Sequence, residues 1–162
     1  NYFRKMGYPG TLELLETRGR ALPAGAASIR RYKGALDWPA RGKVVVPFGR
    51  IANPRFPKTF LRSSGWTIDV PTGTPVRAVF AGDVVYAQWL KGYGNLVILK
   101  HNATYLTAYA HNQTLLVKED QAVKRGQKIA EMGNTDSDRV LLHFEIRKQG
   151  KPVDPARLLP PR

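Results

Sequence analysis

From Trp38 onward, the sequence is a succession of short runs rich in β-branched and aromatic residues, separated by turn residues. This pattern constrains the fold most, because no helical period of 3.6 residues continues through it and runs of this length are typical of strands. The clearest predicted strands are 44–46, 66–70, 76–80, 84–88, 95–100 and 105–110. Two further strands are predicted near 128–132 and 141–147.

The segments between these runs contain the residues that favour turns. Gly, Pro, Asn and Asp recur at 73–75, 81–83, 92–94 and 101–102. Short strands joined by such turns form antiparallel hairpins. The sequence therefore predicts an all-β domain built from an antiparallel sheet or sandwich, followed by a proline-bounded tail.

The first 36 residues differ from the rest of the chain. Residues 11–18 predict a short helix with Thr11 as its N-cap and Gly19 after its end, and residues 23–28 read as a linker. We expect a division into an N-terminal extension, 1–36, and a domain, 37–162. Two interpretations of the extension remain open: a segment that drapes over the domain, or a removable arm that masks a working surface. Because the chain starts at Asn1 without a signal-peptide pattern, we expect a processed or truncated fragment.

The net charge of +14 favours an anionic neighbour, such as nucleic acid, an acidic lipid surface, a cell-wall polymer or an acidic protein. The basic residues are spread along the chain, and no recognition helix or aromatic RNA-binding strand accompanies them. We therefore expect no nucleic-acid partner. No run of 18 apolar residues occurs, so no membrane span is expected. The absence of cysteine excludes disulfides, thiolate zinc ligands and thiol nucleophiles.

Seven segments, in order, carry a resemblance to a known family. They are Trp38-Pro39 with Gly42 and 48–50, then 71–78, 81–87, 92–95, 109–111, 123–130 and 142–146. Together they resemble the LytM-type (lysostaphin-like, M23 peptidase family) domain of bacterial cell-wall enzymes. The resemblance implies the LytM-type fold (duplicated hybrid motif-like) and, in active members, a zinc ion that activates water for peptide hydrolysis.

The zinc and proton-transfer positions implied by the resemblance are mostly substituted. The H-x-G-x-D stretch falls on 63–67, which places Ser63 at the histidine position and Thr67 at the aspartate position. The H-x-H pair falls on 141–143, so that Leu141 replaces the first histidine and His143 remains. His111 of Y-x-H is also retained, whereas His101 belongs to no ligand position. A shift of register by two residues would use Asp69 but would need a histidine at Gly65. We therefore expect no zinc and no catalysis.

Catalytically degenerate members of this family resemble the murein hydrolase activators typified by EnvC and NlpD. That resemblance implies a non-catalytic activator of peptidoglycan amidases (N-acetylmuramoyl-L-alanine amidases), acting in cell division in the periplasm of a Gram-negative-type bacterium. The former active-site groove is then expected to bind the amidase. The residues expected to line it are Ser64, Thr67, Tyr93, His111, His143 and Arg147. Tyr93 and Arg147 are expected to be exposed there.

Other interpretations remain open for the chain and its residues. The chain is alternatively a zinc-dependent peptidoglycan endopeptidase, or a non-catalytic peptidoglycan-binding module favoured by the positive charge. His111 and His143 are alternatively idle strand residues, and Tyr93 a turn filler. Arg147 is alternatively an ordinary solvated residue. Peptidoglycan itself remains a possible additional partner.

Overall fold

A computed structural model describes residues 36–53, 55–56 and 58–160. Within these ranges the chain forms twelve strands and one short 3₁₀ helix, Pro155–Arg157. The strands are β1 Lys43–Val46, β2 Gly49–Ala52, β3 Phe60–Ser63, β4 Trp66–Asp69, β5 Pro75–Arg77, β6 Gly82–Leu90, β7 Gly94–Lys100, β8 Tyr105–Leu115, β9 Ala122–Val123, β10 Lys128–Met132, β11 Leu141–Lys148 and β12 Lys151–Val153. The helix predicted at 11–18, the linker at 23–28 and nearly all of the N-terminal extension lie outside the described residues.

Ten of the strands form one antiparallel sheet with the order β1-β4-β11-β8-β7-β6-β9. β10 pairs with β5 and β8, and β12 pairs with β11. β2 and β3 form a separate two-stranded sheet. The predicted all-β, antiparallel architecture is confirmed. In the part of the chain that the structure describes, no helix is long and apolar enough to cross a membrane.

The predicted strands are mostly correct, with differences where tertiary contacts decide. The strand predicted at 128–132 matches β10, and the one predicted at 105–110 continues to Leu115 in β8. The prediction of 76–80 is wrong beyond Arg77, because the backbone N–H of Ala78 bonds to a loop carbonyl, that of Gln127, instead of a neighbouring strand. The turn predicted at 81–83 is partly wrong, since β6 already begins at Gly82. The pair β2 and β3 was not predicted as a hairpin.

Two apolar clusters lie on opposite faces of the central strands. Alternate residues of β11, namely Leu142, Phe144 and Ile146, belong to the larger cluster. The smaller cluster consists of Val85, Leu90, Tyr93, Leu96, Ile98, Leu106, Ala108 and Ala110. Three members of the smaller cluster lie on β8 and pair directly with the polar residues of β11: Ala110 with His143, Ala108 with Glu145 and Leu106 with Arg147. Residues directly opposite each other share a face, so the polar side of β11 lies beside the smaller apolar cluster.

Gly65 brings the start of β4 against β11. A Cβ atom at this position would lie 2.1 Å from the carbonyl oxygen of Phe144, which only a glycine avoids. This close approach places Ser64 beside the Glu145 side chain. The glycine therefore sets the geometry of the site described next.

Candidate functional site

The positions singled out by the sequence come together where β4, β11 and β8 lie side by side. His143 on β11 is directly opposite Thr67 on β4 and Ala110 on β8. His111 follows Ala110, and Leu141 lies two residues before His143 on the same strand face. Residues that are far apart in the sequence thus form one cluster in the folded protein.

The two histidine rings face each other across this cluster. Their centroids are 6.4 Å apart in an edge-to-face arrangement, as expected from their neighbouring strands. The ring of Tyr93 lies 5.9 Å from that of His143. The tyrosine, in the turn between β6 and β7, therefore packs under the histidine.

His111 is held in an uncommon backbone conformation. Its φ angle of 73° lies in the left-handed region, which side chains other than glycine rarely adopt. The backbone N–H of His111 donates to the carbonyl oxygen of Tyr93 over 2.7 Å. Its Nδ1 lies 2.8 Å from the carbonyl oxygen of Thr135, an acceptor, so Nδ1 carries the proton. These contacts fix the ring direction and leave Nε2 as the ring's acceptor nitrogen.

Glu145 is the centre of the hydrogen-bond network beneath the cluster. It is fully buried, and its Oε2 accepts bonds from Ser64 Oγ at 2.9 Å and Tyr93 Oη at 3.2 Å. The same oxygen lies 2.6 Å from His143 Nε2. Oε1 accepts from Arg147 Nε at 2.9 Å. One carboxylate therefore joins four of the residues that the sequence singled out.

The surroundings of Glu145 decide its ionisation. Burial by itself raises the pKa of this carboxyl, but the hydrogen bond and charge of His143, the charge of Arg147 and the Ser64 hydroxyl together lower the pKa to about 2. The group is therefore a carboxylate at any physiological pH. Because a carboxylate only accepts hydrogen bonds, Nε2 of His143 is the donor in their contact.

The sequence analysis did not include Glu145 among the candidate site residues. The available signal was the alternation along β11, which puts Glu145 on the same face as His143 and Arg147. The pattern gives the face and not the depth, so it did not identify Glu145 as the shared partner of the others.

The expectation that Tyr93 and Arg147 are exposed is wrong. Tyr93 is 1% and Arg147 is 2% exposed. Tyr93 belongs to the smaller apolar cluster, and Arg147 lies directly opposite Leu106 of that cluster. Arg147 also donates through Nη1 to the carbonyl oxygen of Gly150 over 3.1 Å. The alternative that Arg147 is an ordinary solvated residue is wrong for the same reason. Both side chains bond to Glu145 in the interior and are not accessible to a partner.

The accessible part of the site is a surface of half-buried residues, at the place where the family resemblance implies the former active-site groove. We call this surface the His143 groove, and it consists of Ser64, Thr67, His111, Leu141 and His143. The side chain of His143 is 18% exposed. The groove therefore offers a mixed surface of hydroxyls, an apolar side chain and two imidazole edges.

The serines at the groove are not activated nucleophiles. The hydroxyl of Ser64 donates to the Glu145 carboxylate and that of Ser63 donates to the carbonyl oxygen of Gly65 at 2.8 Å. A nucleophilic serine needs its hydroxyl within hydrogen-bond reach of a base that is itself oriented by a third group. Ser64 contacts a carboxylate that Arg147 orients, but a carboxyl whose pKa is lowered to about 2 is too weak a base to take the proton of a hydroxyl.

The residues at the three positions where the family resemblance implies zinc ligands do not fit that metal. They are Ser63, Thr67 and His143, and zinc in proteins is held by Cys, His, Asp or Glu side chains. Among the residues that the structure describes, no group of three or more His, Asp or Glu is arranged to hold a metal ion. A single imidazole with two hydroxyls cannot supply the ligand set that this chemistry needs.

Sequence comparison with known proteins agrees with the family resemblance and the fold. The sequence profile of Peptidase family M23 matches residues 62–155. The chain is 52% identical over 130 residues to a protein of Pseudomonas aeruginosa named "Lipoprotein NlpD/LppB homolog", covering 80% of this chain and 41% of the relative. It is 49% identical over 140 residues to the "Murein hydrolase activator NlpD" of Salmonella typhimurium, covering 86% of this chain and 35% of the relative. The chain thus spans less than half the length of these curated relatives.

Solved structures of the family share the fold. A zinc-containing peptidase from Vibrio cholerae superimposes with a TM-score of 0.68 at 32% identity, over 81% of this chain and 40% of that one. Lysostaphin from Staphylococcus simulans superimposes with a TM-score of 0.64 at 26% identity, over 76% of this chain and 52% of that one. The predicted LytM-type fold is confirmed. With the family profile and the NlpD relatives agreeing with the architecture, the chain belongs to peptidase family M23.

Proposed function

We propose that this chain is a non-catalytic activator of peptidoglycan amidases, N-acetylmuramoyl-L-alanine amidases, in septal cell-wall splitting during cell division. The name of the Salmonella relative, a murein hydrolase activator, supports this role. The names of the relatives from Pseudomonas aeruginosa and Escherichia coli, both lipoproteins, support a place in the periplasm or cell envelope.

The observation that carries the proposal is the chemistry of the His143 groove. Ser63 and Thr67 stand at two metal positions, Leu141 stands at the position of the proton-transferring histidine, and His143 is bonded to a buried carboxylate. A groove of this composition can bind a polypeptide but lacks the groups that polarise and cleave one. The M23 fold is thus kept while its reaction is not.

Activation by binding requires a difference in affinity between two states of the amidase. If a segment of the amidase blocks its own active site, an activator that binds only the open state shifts the population toward it. A shift from mostly closed to mostly open needs a preference of roughly 10⁴-fold, or about 5.5 kcal/mol. A half-buried apolar and hydroxyl-lined surface suits the face of a polypeptide segment more than a solvated sugar.

Replacing Thr67 with lysine should reduce amidase stimulation by at least about tenfold, the equivalent of ~1.4 kcal/mol of binding. The lysine side chain would fill the groove opposite His143 and bring an unpaired charge into the interface. The measurement is dye release from labelled peptidoglycan by an amidase at subsaturating amounts of the chain. Circular dichroism checks that the variant remains folded.

Thr104→Lys is the matched control for this variant. Thr104 is also half-buried, but it precedes β8 at the end remote from His111. It should stimulate the amidase as the wild type does. Equal stimulation by the Thr67 and Thr104 variants would remove the groove from the mechanism.

The purified wild-type chain should hold no stoichiometric zinc after exposure to zinc and dialysis, because only one of the three implied ligand positions carries a zinc-binding side chain. Inductively coupled plasma mass spectrometry measures the metal content. One zinc per chain that disappears in His143→Ala would contradict this expectation and favour the zinc endopeptidase.

Dye release with the chain alone, an amidase alone and both together separates the remaining alternatives. If the chain is an activator, it releases no dye by itself, and the mixture of chain and amidase releases more dye than the amidase alone. Chelator-sensitive release by the chain alone would support an endopeptidase. Salt-sensitive binding to purified sacculi without any effect on the amidase would support a peptidoglycan-binding module.

A further inference from the structure

The hairpin of β2 and β3 is a separate two-stranded sheet rich in basic residues, and the chain leaves it directly into the His143 groove. Between Asp37 and Asp69 the sequence contains six basic residues and no Asp or Glu: Arg41, Lys43, Arg50, Arg55, Lys58 and Arg62. The last four belong to the hairpin and are all exposed. Such a concentration of one sign of charge has a strong preference for an acidic surface.

The register of the hairpin places two guanidinium groups on one face. Arg50 on β2 is directly opposite Arg62 on β3, and the next pair on that face is Ala52 with Phe60. Directly opposite side chains have Cβ atoms about 4.5–5.5 Å apart, and like charges in such pairs destabilise the sheet. Among the described residues neither arginine has a carboxylate partner. The face is therefore a pre-formed site whose repulsion a bound carboxylate would relieve.

An exposed aromatic ring completes this face. Phe60 is 54% exposed, and the guanidinium carbon of Arg50 lies 3.7 Å from the centroid of its ring. This cation–π contact orients Arg50 along the hairpin surface and keeps it over the ring. Arginine and aromatic side chains are enriched among the residues that dominate protein interfaces.

The base of the hairpin connects to the candidate groove. β3 ends at Ser63, and the next residue, Ser64, lies in the groove and bonds to Glu145. A polypeptide segment lying in the groove would thus meet the hairpin as it leaves. This continuity favours a protein partner over an isolated membrane contact.

We propose that the Arg50–Arg62 face of the β2–β3 hairpin binds an acidic segment of the hydrolase partner, with a carboxylate between the two guanidinium groups and an apolar side chain on Phe60. This rests on the proposed function, because the partner is the amidase that occupies the neighbouring groove. The groove then supplies the apolar contacts, while the hairpin supplies charge complementarity and speed of association.

The test measures binding of an amidase from the same genome to the full chain by biolayer interferometry at several salt concentrations. Arg50→Glu/Arg62→Glu should weaken binding by about tenfold or more and remove most of its salt dependence, since it reverses the charge that meets the acidic segment. Phe60→Ser should weaken binding without changing the salt dependence. Both changes lie on exposed positions, and thermal unfolding checks that the hairpin variants stay folded.

Lys118→Glu/Lys124→Glu is the matched control, because it makes the same change in net charge at two exposed lysines outside the hairpin. It should bind the amidase as the wild type does. Equal losses in both double variants would assign the effect to overall charge and overturn the proposal. Wild-type affinity in Arg50→Glu/Arg62→Glu would overturn it directly.

A parallel measurement with phosphatidylglycerol vesicles distinguishes a lipid surface from the protein partner. If Arg50→Glu/Arg62→Glu loses vesicle binding and keeps amidase binding, the hairpin is a membrane contact and the proposal fails while the proposed function stands. If the wild-type chain neither binds nor stimulates the amidase, the proposed function itself fails and takes the hairpin proposal with it.

Discussion

Replacing Arg147 with alanine is expected to lower the free energy of unfolding by about 3–5 kcal/mol, because it removes one partner of a fully buried ion pair. The side chain of Arg147 is 2% exposed and that of Glu145 is 0% exposed, and Arg147 Nε lies 2.9 Å from Glu145 Oε1. Without the arginine, an ionised carboxylate stays in the interior beside a cavity. An effect of this size is much larger than an exposed arginine would produce.

Urea unfolding followed by circular dichroism measures this loss. Arg125→Ala is the matched control, because its contact with Asp37 has similar length, 3.2 Å, but side chains that are 36% and 43% exposed. It should cost no more than about 1 kcal/mol. Similar losses in the two variants would show that Arg147 is solvated in solution, against its position in the structure.

The burial of Arg147 also changes what a functional assay of this residue reports. A loss of amidase stimulation in Arg147→Ala would accompany a loss of stability, so it would not identify a partner contact. Thr67 and Leu141, which are half-buried in the groove, are the residues whose variants report on binding.

His101 should make the free energy of unfolding strongly dependent on pH between 7 and 4. The histidine is fully buried in a chain of hydrogen bonds outside the candidate site. At one end, the backbone N–H of Val79 donates to the Tyr109 hydroxyl oxygen over 3.2 Å, and this hydroxyl lies 2.9 Å from that of Thr107. Thr107 Oγ1 lies 2.7 Å from His101 Nε2. At the other end, His101 Nδ1 lies 2.8 Å from the carbonyl oxygen of Ala81.

The two ends of this series of hydrogen bonds determine the position of each proton. The carbonyl oxygen of Ala81 only accepts, so Nδ1 of His101 is the donor and Nε2 of the neutral ring accepts from Thr107. A second proton on His101 Nε2 would face the hydroxyl hydrogen of Thr107. If the hydroxyls of Thr107 and Tyr109 turned round to accept it, the Tyr109 hydroxyl hydrogen would lose its acceptor, because at that end of the network stands the backbone N–H of Val79, which is a donor. Protonation of His101 therefore breaks a hydrogen bond in the core.

Burial lowers the pKa of His101 from 6.5 to about 4, although its bond to Ala81 opposes part of this shift. The unfolded chain takes up a proton near pH 6.5 and the folded chain does not until about pH 4. The stability contributed at neutral pH is consequently lost as the pH falls through this window, by about 3 kcal/mol at 1.36 kcal/mol per pH unit. The lowered pKa of His111, caused by burial first, acts in the same direction.

In His101→Gln this part of the pH dependence should disappear, whatever the absolute stability of the variant. Urea unfolding at intervals from pH 7 to pH 4 gives the slope for wild type and variant. The histidine resonances of the folded wild type provide an independent check, since His101 should remain neutral to near pH 4. A folded-state titration of His101 near pH 6.5, or an unchanged slope in the variant, would contradict the hydrogen-bond chain.

Much of the fold was accessible from local sequence patterns. Short runs of apolar and aromatic residues between turn residues predicted β10 and most of β8 and β11, because strands of a hairpin-rich sheet are bounded in this way. The β2–β3 hairpin was not predicted, since its exposed, basic strands do not alternate with an apolar core face. The cluster of Thr67, His111 and His143 could be assembled in advance only through the family resemblance, which supplies the three-dimensional register.

The sequence by itself determined the order of the strands and turns and the residue types at the positions where the family resemblance implies the metal ligands, because these depend on neighbouring residues and on the identity of each residue. Only the tertiary structure decided that Tyr93 and Arg147 are buried, that Glu145 joins the site residues, and that His101 lies inside a closed hydrogen-bond chain. The physical reason is that burial on both faces of a sheet depends on strands that are distant in the sequence, and alternation along one strand identifies a face without showing what covers it.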